Sequence, residues 1–270
     1  MTATQSSALT EAFETGAVSH VGRVRSHNED AYVARPEFGV WAVADGMGGH
    51  ENGALASGTL ATAIDAIGPA ASAADLLGRL EAAVLRANSE LRALIRGRRG
   101  VAMGSTLVAL LVFERHFACV WSGDSRIYLL RDGRMSQVSR DHTEVQDMID
   151  SGVMTPEEAK HSPRRHVITR AIGVADTPEL DLDSGELAEG DVFLLCSDGL
   201  TGHVTDAEIE VALRDMGAQA ACEALLSLVL ERGASDNVTI VVVRRQNGGG
   251  DDGGTTRWLP NARAARRSGS

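Results

Sequence analysis

Short apolar runs separated by polar turns dominate the chain, and their spacing falls into two periods. Val40 to Ala44, Thr106 to Phe113, Phe117 to Trp121, Ile127 to Leu130, Val192 to Cys196 and Val238 to Val243 are compact runs of aliphatic and aromatic residues and read as strands. Arg131-Asp132-Gly133-Arg134 separates two strand-like stretches and is a hairpin signal. Elsewhere the period lengthens. Leu77, Leu80, Val84, Ala87, Leu91 and Leu94 recur at helical spacing, with a stop near Gly97. Thr155-Pro156-Glu157-Glu158 and Thr205-Asp206-Ala207-Glu208 are capping boxes, the first with proline at the opening helical position. Ala220 to Arg232 is apolar on most faces and ends at Gly233, a common helix stop. Strands and helices arrive in groups rather than in alternation, which favours an α+β fold over a doubly wound sheet.

The two ends depart from this pattern. Residues 1 to 15 read as a flexible lead-in, residues 16 to 245 as one domain, and residues 246 to 270 as a flexible Gly- and Arg-containing tail. Arg257, Arg263, Arg266 and Arg267 make the tail locally basic, and a solvated segment is the expectation.

Composition narrows the function. With 270 residues, 43% of them hydrophobic, the chain can bury a sizeable core. A formal net charge of -11 argues against a nucleic-acid partner, which calls for a basic footprint. Lys160 is the only lysine, and it follows neither a glycine loop nor a strand, so no nucleotide-binding P-loop or kinase lysine is present. Cys119, Cys196 and Cys222 sit in apolar runs and read as buried, reduced thiols of a cytoplasmic protein. None has an arginine six positions later, which excludes the phosphate loop of cysteine-dependent phosphatases. No apolar run approaches the roughly 18 to 20 residues of a membrane span, so neither membrane insertion nor an anchor is expected. Glu11 and Glu14 near a start without basic residues argue against a signal peptide.

The chemistry lies in where aspartates fall relative to strands. Val40 to Ala44 runs into Asp45-Gly46, Val192 to Cys196 into Ser197-Asp198-Gly199, and Phe117 to Trp121 into Ser122-Gly123-Asp124, while Asp236-Asn237 opens the last strand. A lone Asp-Gly is ordinary turn chemistry. Here Asp45 is followed by Met47-Gly48-Gly49-His50 and an Ala-rich helical stretch, and Asp198 by a capped helix, rather than by returning strands. Strand ends that converge would crowd like charges, which protons or hard divalent cations must offset. Oxygen donors suit magnesium or manganese, and the lack of clustered histidine and cysteine disfavours zinc. A second group, Gly22-Arg23-Val24-Arg25-Ser26-His27-Asn28-Glu29-Asp30, joins an arginine able to fork onto phosphate oxygens to two acids.

The ordered set Arg25-x-x-Asn28-Glu29-Asp30-Ala31, Asp45-Gly46-Met47-Gly48-Gly49-His50, Gly104-Ser105-Thr106, Gly123-Asp124-Ser125-Arg126, Asp141-His142-Thr143, Ser197-Asp198-Gly199-Leu200 and Asp236-Asn237-Val238-Thr239 resembles the metal-dependent protein phosphatase family, the type 2C serine/threonine phosphatases. The compact length and a flap over about residues 144 to 185 resemble its bacterial branch. The resemblance implies a four-layer α-β-β-α sandwich of two antiparallel sheets flanked by helices. It implies hydrolysis of phosphoserine and phosphothreonine by a metal-activated water at a binuclear manganese or magnesium centre, with a third, weaker site. Asp45 and the Gly46 carbonyl, Asp198 and Asp236 would hold the pair of cations, with Glu29 and Asp30 acting mostly through coordinated water and Asp124 helping to hold the third. Arg25 would clamp the substrate phosphate, and His50 would protonate the leaving oxygen.

For His142 a structural hydrogen-bonding role is expected. Arg164, Arg165 and Arg170, near the flap, read either as surface salt-bridging cations or as contacts for acidic or phosphorylated substrates, and His166 lies near where the resemblance sets a flap residue of some bacterial members on the third metal, without being counted among the ligands. The implied partners are phosphorylated proteins, including a cognate serine/threonine kinase, met by a monomer. Two other classes compete with this reading. Two-metal phosphoesterases of small phosphoesters need Asp-x-His and Gly-Asn-His motifs, and neither occurs here. A catalytically silent, metal-binding regulatory relative would be expected to lose core aspartates, and all are present.

Overall fold

The computed structural model describes residues 12–49, 51–96 and 103–246, the side chain of Lys160 aside. The flexible-tail reading of 247–270, most of the lead-in, the stop near Gly97 and the candidate acid His50 all lie outside the described residues.

The described residues form eleven strands: β1 Phe13–His20, β2 Asp30–Arg35, β3 Val40–Met47, β4 Gly104–Ser105, β5 Leu107–Phe113, β6 His116–Ser122, β7 Arg126–Arg131, β8 Arg134–Gln137, β9 Asp181–Glu186, β10 Val192–Cys196 and β11 Val238–Arg245. They form two antiparallel sheets. One runs β1-β11-β10-β7-β8, the other β2-β3-β5-β6-β9 with β4 paired to β3. The helices are α1 Glu51–Asp65, α2 Ala73–Arg96, α3 Glu144–Asp150, α4 Pro156–Lys160, α5 Asp198–Thr201, α6 Asp206–Asp215 and α7 Ala218–Glu231.

Alternation along each strand builds the four layers. In β3, Val40, Ala42 and Ala44 join the cluster beneath α1 and α2, while Trp41 and Val43 turn into the space between the sheets. In β10, Val192, Leu194 and Cys196 pack under α6 and α7, while Phe193 and Leu195 enter the inter-sheet core. Both faces of the central strands are therefore covered. That is why β5, β10 and β11 read as unbroken apolar runs rather than as alternating ones.

The capping boxes at Thr155 and Thr205 are both formed. The β7–β8 hairpin turns at Asp132 and Gly133, both with positive φ, as a two-residue hairpin loop requires. The ordered chain begins earlier than residue 16, because Phe13 is buried edge-on against Trp41 (centroids 5.5 Å apart) and starts the pairing of β1 with β11. The segment that the resemblance reads as a flap stops short of residue 185, because β9 pairs with β6 from Asp181 onward. Among the described residues no helix is long and apolar enough to cross a membrane.

The inter-sheet core sets the relative position of the two sheets, and hence of their ends. Phe193 is fully buried there and stacks edge-on with Phe117 at 4.9 Å. Phe193→Ala is expected to lower unfolding free energy by about 3–5 kcal/mol, measured as a reduced midpoint in urea.

Candidate metal centre

Strand ends from both sheets meet at one edge of the sandwich. Asp45 closes the core-facing part of β3 and lies directly opposite Asp30 of β2 in the ladder. Asp198 opens α5 immediately after β10, Asp124 follows β6, and Asp236 precedes β11. A cavity of about 520 Å³ lies between them, and its walls include Arg25, Glu29, Asp45, Gly46, Asp124, Asp198 and Asp236. The candidate residues are thus brought together, with two exceptions. Asp30 lies behind Asp45 and does not line the cavity, and His50 is outside the described residues.

Backbone geometry holds this cluster in place. The Asp45 N–H donates to Thr106 Oγ1 (3.0 Å), and the Thr106 N–H donates back to the Asp45 carbonyl (2.8 Å). Gly46 pairs with Ser105 of β4, and its N–H donates to the Glu29 carbonyl at 3.0 Å. A side chain at Gly46 would strike the Gly53 carbonyl at the start of α1, and one at Gly199 would strike the Asn237 carbonyl. Only glycine lets these backbones approach so closely.

Asn237 acts as a hub. Its Nδ2 donates to the carbonyls of Val21 and His27 (2.9 Å each), and its Oδ1 accepts from the Glu29 N–H at 2.8 Å. The loop carrying Arg25 is thereby fastened to the turn carrying Asp236. The Gly123–Arg126 and Asp141–Thr143 motifs buttress each other in the same way. Arg126 forks onto Asp141 (Nε to Oδ1 2.9 Å, Nη2 to Oδ2 2.7 Å), and the Gly123 N–H donates to His142 Nδ1 at 3.1 Å. His142 Nε2 lies 3.0 Å from Asp181, so the ring is used structurally, as expected.

The electrostatics point to missing positive charge. Desolvation pushes the Asp30 carboxyl up to about 7, although hydrogen bonds from Ser197 and Thr239 oppose the shift. Asp124 is pushed up to about 7, first by burial and then by the charges of Asp198 and Asp141. Asp45 is raised well above the carboxylate range by burial and by Asp30, Asp198, Asp124 and Asp236. One oxygen of Asp30 accepts from Ser197 Oγ at 2.8 Å, and the other is buried without a partner. Arg25 supplies the nearest described countercharge, with Nη2 2.8 Å from Asp236 Oδ2. These are oxygen donors short of cations, a set that fits hard divalent ions.

Three contributors carry no role in the sequence reading. Thr106 and Ser197 position Asp45 and Asp30, and His166 comes within 3.6 Å of Asp198 Oδ2. Thr106 and Ser197 fall within the Gly104-Ser105-Thr106 and Ser197-Asp198-Gly199-Leu200 motifs, which is a usable signal. His166 lies in a polar stretch where only the family resemblance draws notice to it.

Known proteins resemble the chain in both sequence and fold. The family model for Protein phosphatase 2C matches residues 19–224. Serine/threonine protein phosphatase PstP of Mycobacterium tuberculosis (strain CDC 1551 / Oshkosh) is 40% identical over 221 residues, 82% of this chain and 42% of PstP. The chain therefore spans about two fifths of the length of that curated relative. The solved structure of PppA from Pseudomonas aeruginosa, a key regulatory component of T6SS, superposes with a TM-score of 0.79 at 40% identity, covering 86% of this chain and 97% of that one. The catalytic domain of PstP in complex with two manganese ions superposes with a TM-score of 0.76 at 39% identity, covering 87% and 99% respectively.

The raised carboxyls set a pH dependence for the cation-free protein. Asp30 and Asp124 shift from 3.8 to about 7, so the folded form keeps protons that the unfolded chain has released across that interval. The stability contributed by these two groups is fully present below about pH 4 and is lost as pH rises through about 7. In EDTA the thermal midpoint is expected to fall by several degrees from pH 5 to 8, and manganese should flatten the profile. Asp45→Asn should raise the midpoint in EDTA while reducing the manganese-induced gain, both read by differential scanning fluorimetry.

Proposed function

The chain belongs to the protein phosphatase 2C family, and from that premise we propose that it is a protein serine/threonine phosphatase hydrolysing phosphoserine and phosphothreonine with a pair of manganese or magnesium ions. The observation that carries this reading is the convergence of Asp45, Asp124, Asp198 and Asp236 on one cavity, where burial and mutual charge hold Asp45 and Asp124 back from ionising. Asp45, the Gly46 carbonyl, Asp198 and Asp236 are the residues proposed to hold the pair, with Glu29 at the cavity wall and Asp30 behind it. The solved PstP domain with two manganese ions supports that choice of metal. When bound, such cations lower the pKa of a water nucleophile and offset negative charge on the phosphoryl group.

The chain's own residues supply orientation. Arg25 stands half-exposed at the cavity wall, and its guanidinium is fixed at one edge by Asp236. Its remaining donors are free to fork onto phosphate oxygens. Arg165 also lines the cavity, a second cation available to a phosphorylated side chain. Asp30 holds the Ser197 hydroxyl, and Ser197 Oγ in turn accepts from the Thr239 N–H at 3.0 Å, fixing the turn from which Asp198 projects. The proton for the leaving oxygen is assigned to His50 on the family resemblance. Phosphorylated proteins, including a serine/threonine kinase, are the proposed substrates, and a monomer in the cytoplasm is the proposed working form.

Phosphoserine-peptide hydrolysis measured with manganese, with EDTA and after manganese is restored tests the reading. Activity that persists undiminished in EDTA would refute it. Asp236→Ala is expected to lower turnover by about 100-fold or more. Arg25→Ala should act mainly by raising KM, roughly tenfold, as expected for a lost phosphate contact.

A further inference from the structure

Beside the carboxylate cluster lies a groove of opposite character. Its volume is about 310 Å³, and Met47, Gly48, Ile95, Arg96, Met103 and Val174 are among its walls. Met47 and Gly48 also line the 520 Å³ cavity, so the two depressions adjoin. At about 3.3 Å per extended residue, a peptide whose phosphorylated side chain fills the cavity reaches the groove within roughly two to four residues.

The groove is preformed. Met47, at the end of β3, and Val174 both come down on Gly104 of β4, where an added Cβ would lie 3.2 Å from Met47 Cε and 3.1 Å from Val174 Cγ2. Helix α2 clamps the stretch that carries Val174. The Gly173 N–H donates to Asn88 Oδ1 (2.7 Å), Asn88 Nδ2 donates to the carbonyls of Ala175 (3.1 Å) and Asp176 (3.2 Å), and Arg92 Nη1 donates to the Val174 carbonyl (2.6 Å). Asn88 is buried, yet the Val174 side chain it helps to place is 60% exposed. An apolar wall fixed in this way asks little ordering of a ligand.

Charge narrows the choice of occupant. Arg92 is paired with Asp176. Arg96, one turn further along α2, is exposed and makes no ion pair among the described residues. An apolar surface with a cation at its rim suits an apolar side chain next to a carboxylate. The chain's own tail suits it less, because Trp258-Leu259 is preceded by Arg257 and followed by Arg263, of the same sign as the rim.

We propose that this groove is a substrate subsite, taking an apolar side chain of the phosphoprotein a few residues from the phosphoserine or phosphothreonine, with an acidic neighbour facing Arg96. The proposal rests on the phosphatase reading above and adds sequence selection to it. The phosphate is common to every substrate, whereas this groove distinguishes one flanking sequence from another.

The test uses the full chain with manganese and a set of phosphothreonine peptides. In these, leucine or serine, each beside glutamate or lysine, is moved through the four positions on either side of the phosphorylated residue. At one position leucine beside glutamate should raise kcat/KM roughly tenfold over serine beside glutamate. Val174→Ser and Ile95→Ala should each remove most of that advantage. Arg96→Glu should invert the order of glutamate and lysine. Turnover of para-nitrophenyl phosphate, too small to reach the groove, should be unchanged in all three variants. Equal kcat/KM for leucine and serine at every position, or a leucine preference that survives both Val174→Ser and Ile95→Ala, would overturn the subsite and leave the phosphatase reading standing. A dimer in sedimentation that Val174→Asp dissolves, or a crosslink from a Val174→Cys probe to the chain's own residues 247–270, would give the groove another occupant and also overturn it. If neither the peptides nor para-nitrophenyl phosphate is hydrolysed, both readings fall.

Discussion

Repulsion among buried carboxylates is the constraint on which the molecule is organised. Two like charges about 4 Å apart at an effective dielectric of about 20 repel by roughly 4 kcal/mol, and Asp45 feels the charges of Asp30, Asp198, Asp124 and Asp236 at once. The protein does not relieve this by pairing each acid with a base. It sets Asp30 and Asp45 across from each other in one ladder and brings Asp198 and Asp236 to them from the other sheet. An arrangement so unfavourable to itself is sensible only as a receptacle for ions of opposite charge.

The architecture supplies rigidity where that repulsion would otherwise push the chain apart. Each carboxylate is anchored to a strand end, and each strand is locked between a helical layer and the inter-sheet core. Polar side chains do the fine positioning: Thr106 under Asp45, Ser197 beneath Asp30, Asn237 across three carbonyl and amide groups of the Arg25 loop. The Arg126–Asp141 fork does the same for Asp124. These groups need not touch a substrate to matter, because small displacements of a ligand oxygen alter both cation affinity and orientation.

Much of this was legible in the linear chain, for identifiable reasons. Strands covered on both faces announce themselves as apolar runs, so β5, β6, β10 and β11 were found. Edge strands do not. β8 is Arg-Met-Ser-Gln and β9 is Asp-Leu-Asp-Ser-Gly-Glu, with polar residues where a buried strand would show valine. β1 was missed because its glycine, threonine and serine dilute the pattern, although Phe13 seals the core. At the site, an aspartate closing a buried strand was signal enough for Asp45, Asp124 and Asp198. That Asp30 sits behind the cavity rather than in it depends on pleat direction and the Ser197 contact, which spacing does not encode. The approach of His166 to Asp198 depends on a long segment doubling back, with no local period to mark it, so only the family resemblance draws notice to that position.

The pairing of β1 with β11 has a temporal consequence. β11 lies between β1 and β10, and Arg25 and Asp236 are separated by 211 positions along the chain. Loop closure over such a distance is slow and occurs only when both partners exist. During synthesis, a ribosome-bound intermediate that already includes α1 to α7 would still lack the strand that joins its first segment to β10 and completes the receptacle. The receptacle is therefore completed at once and late, when β11 slots between β1 and β10.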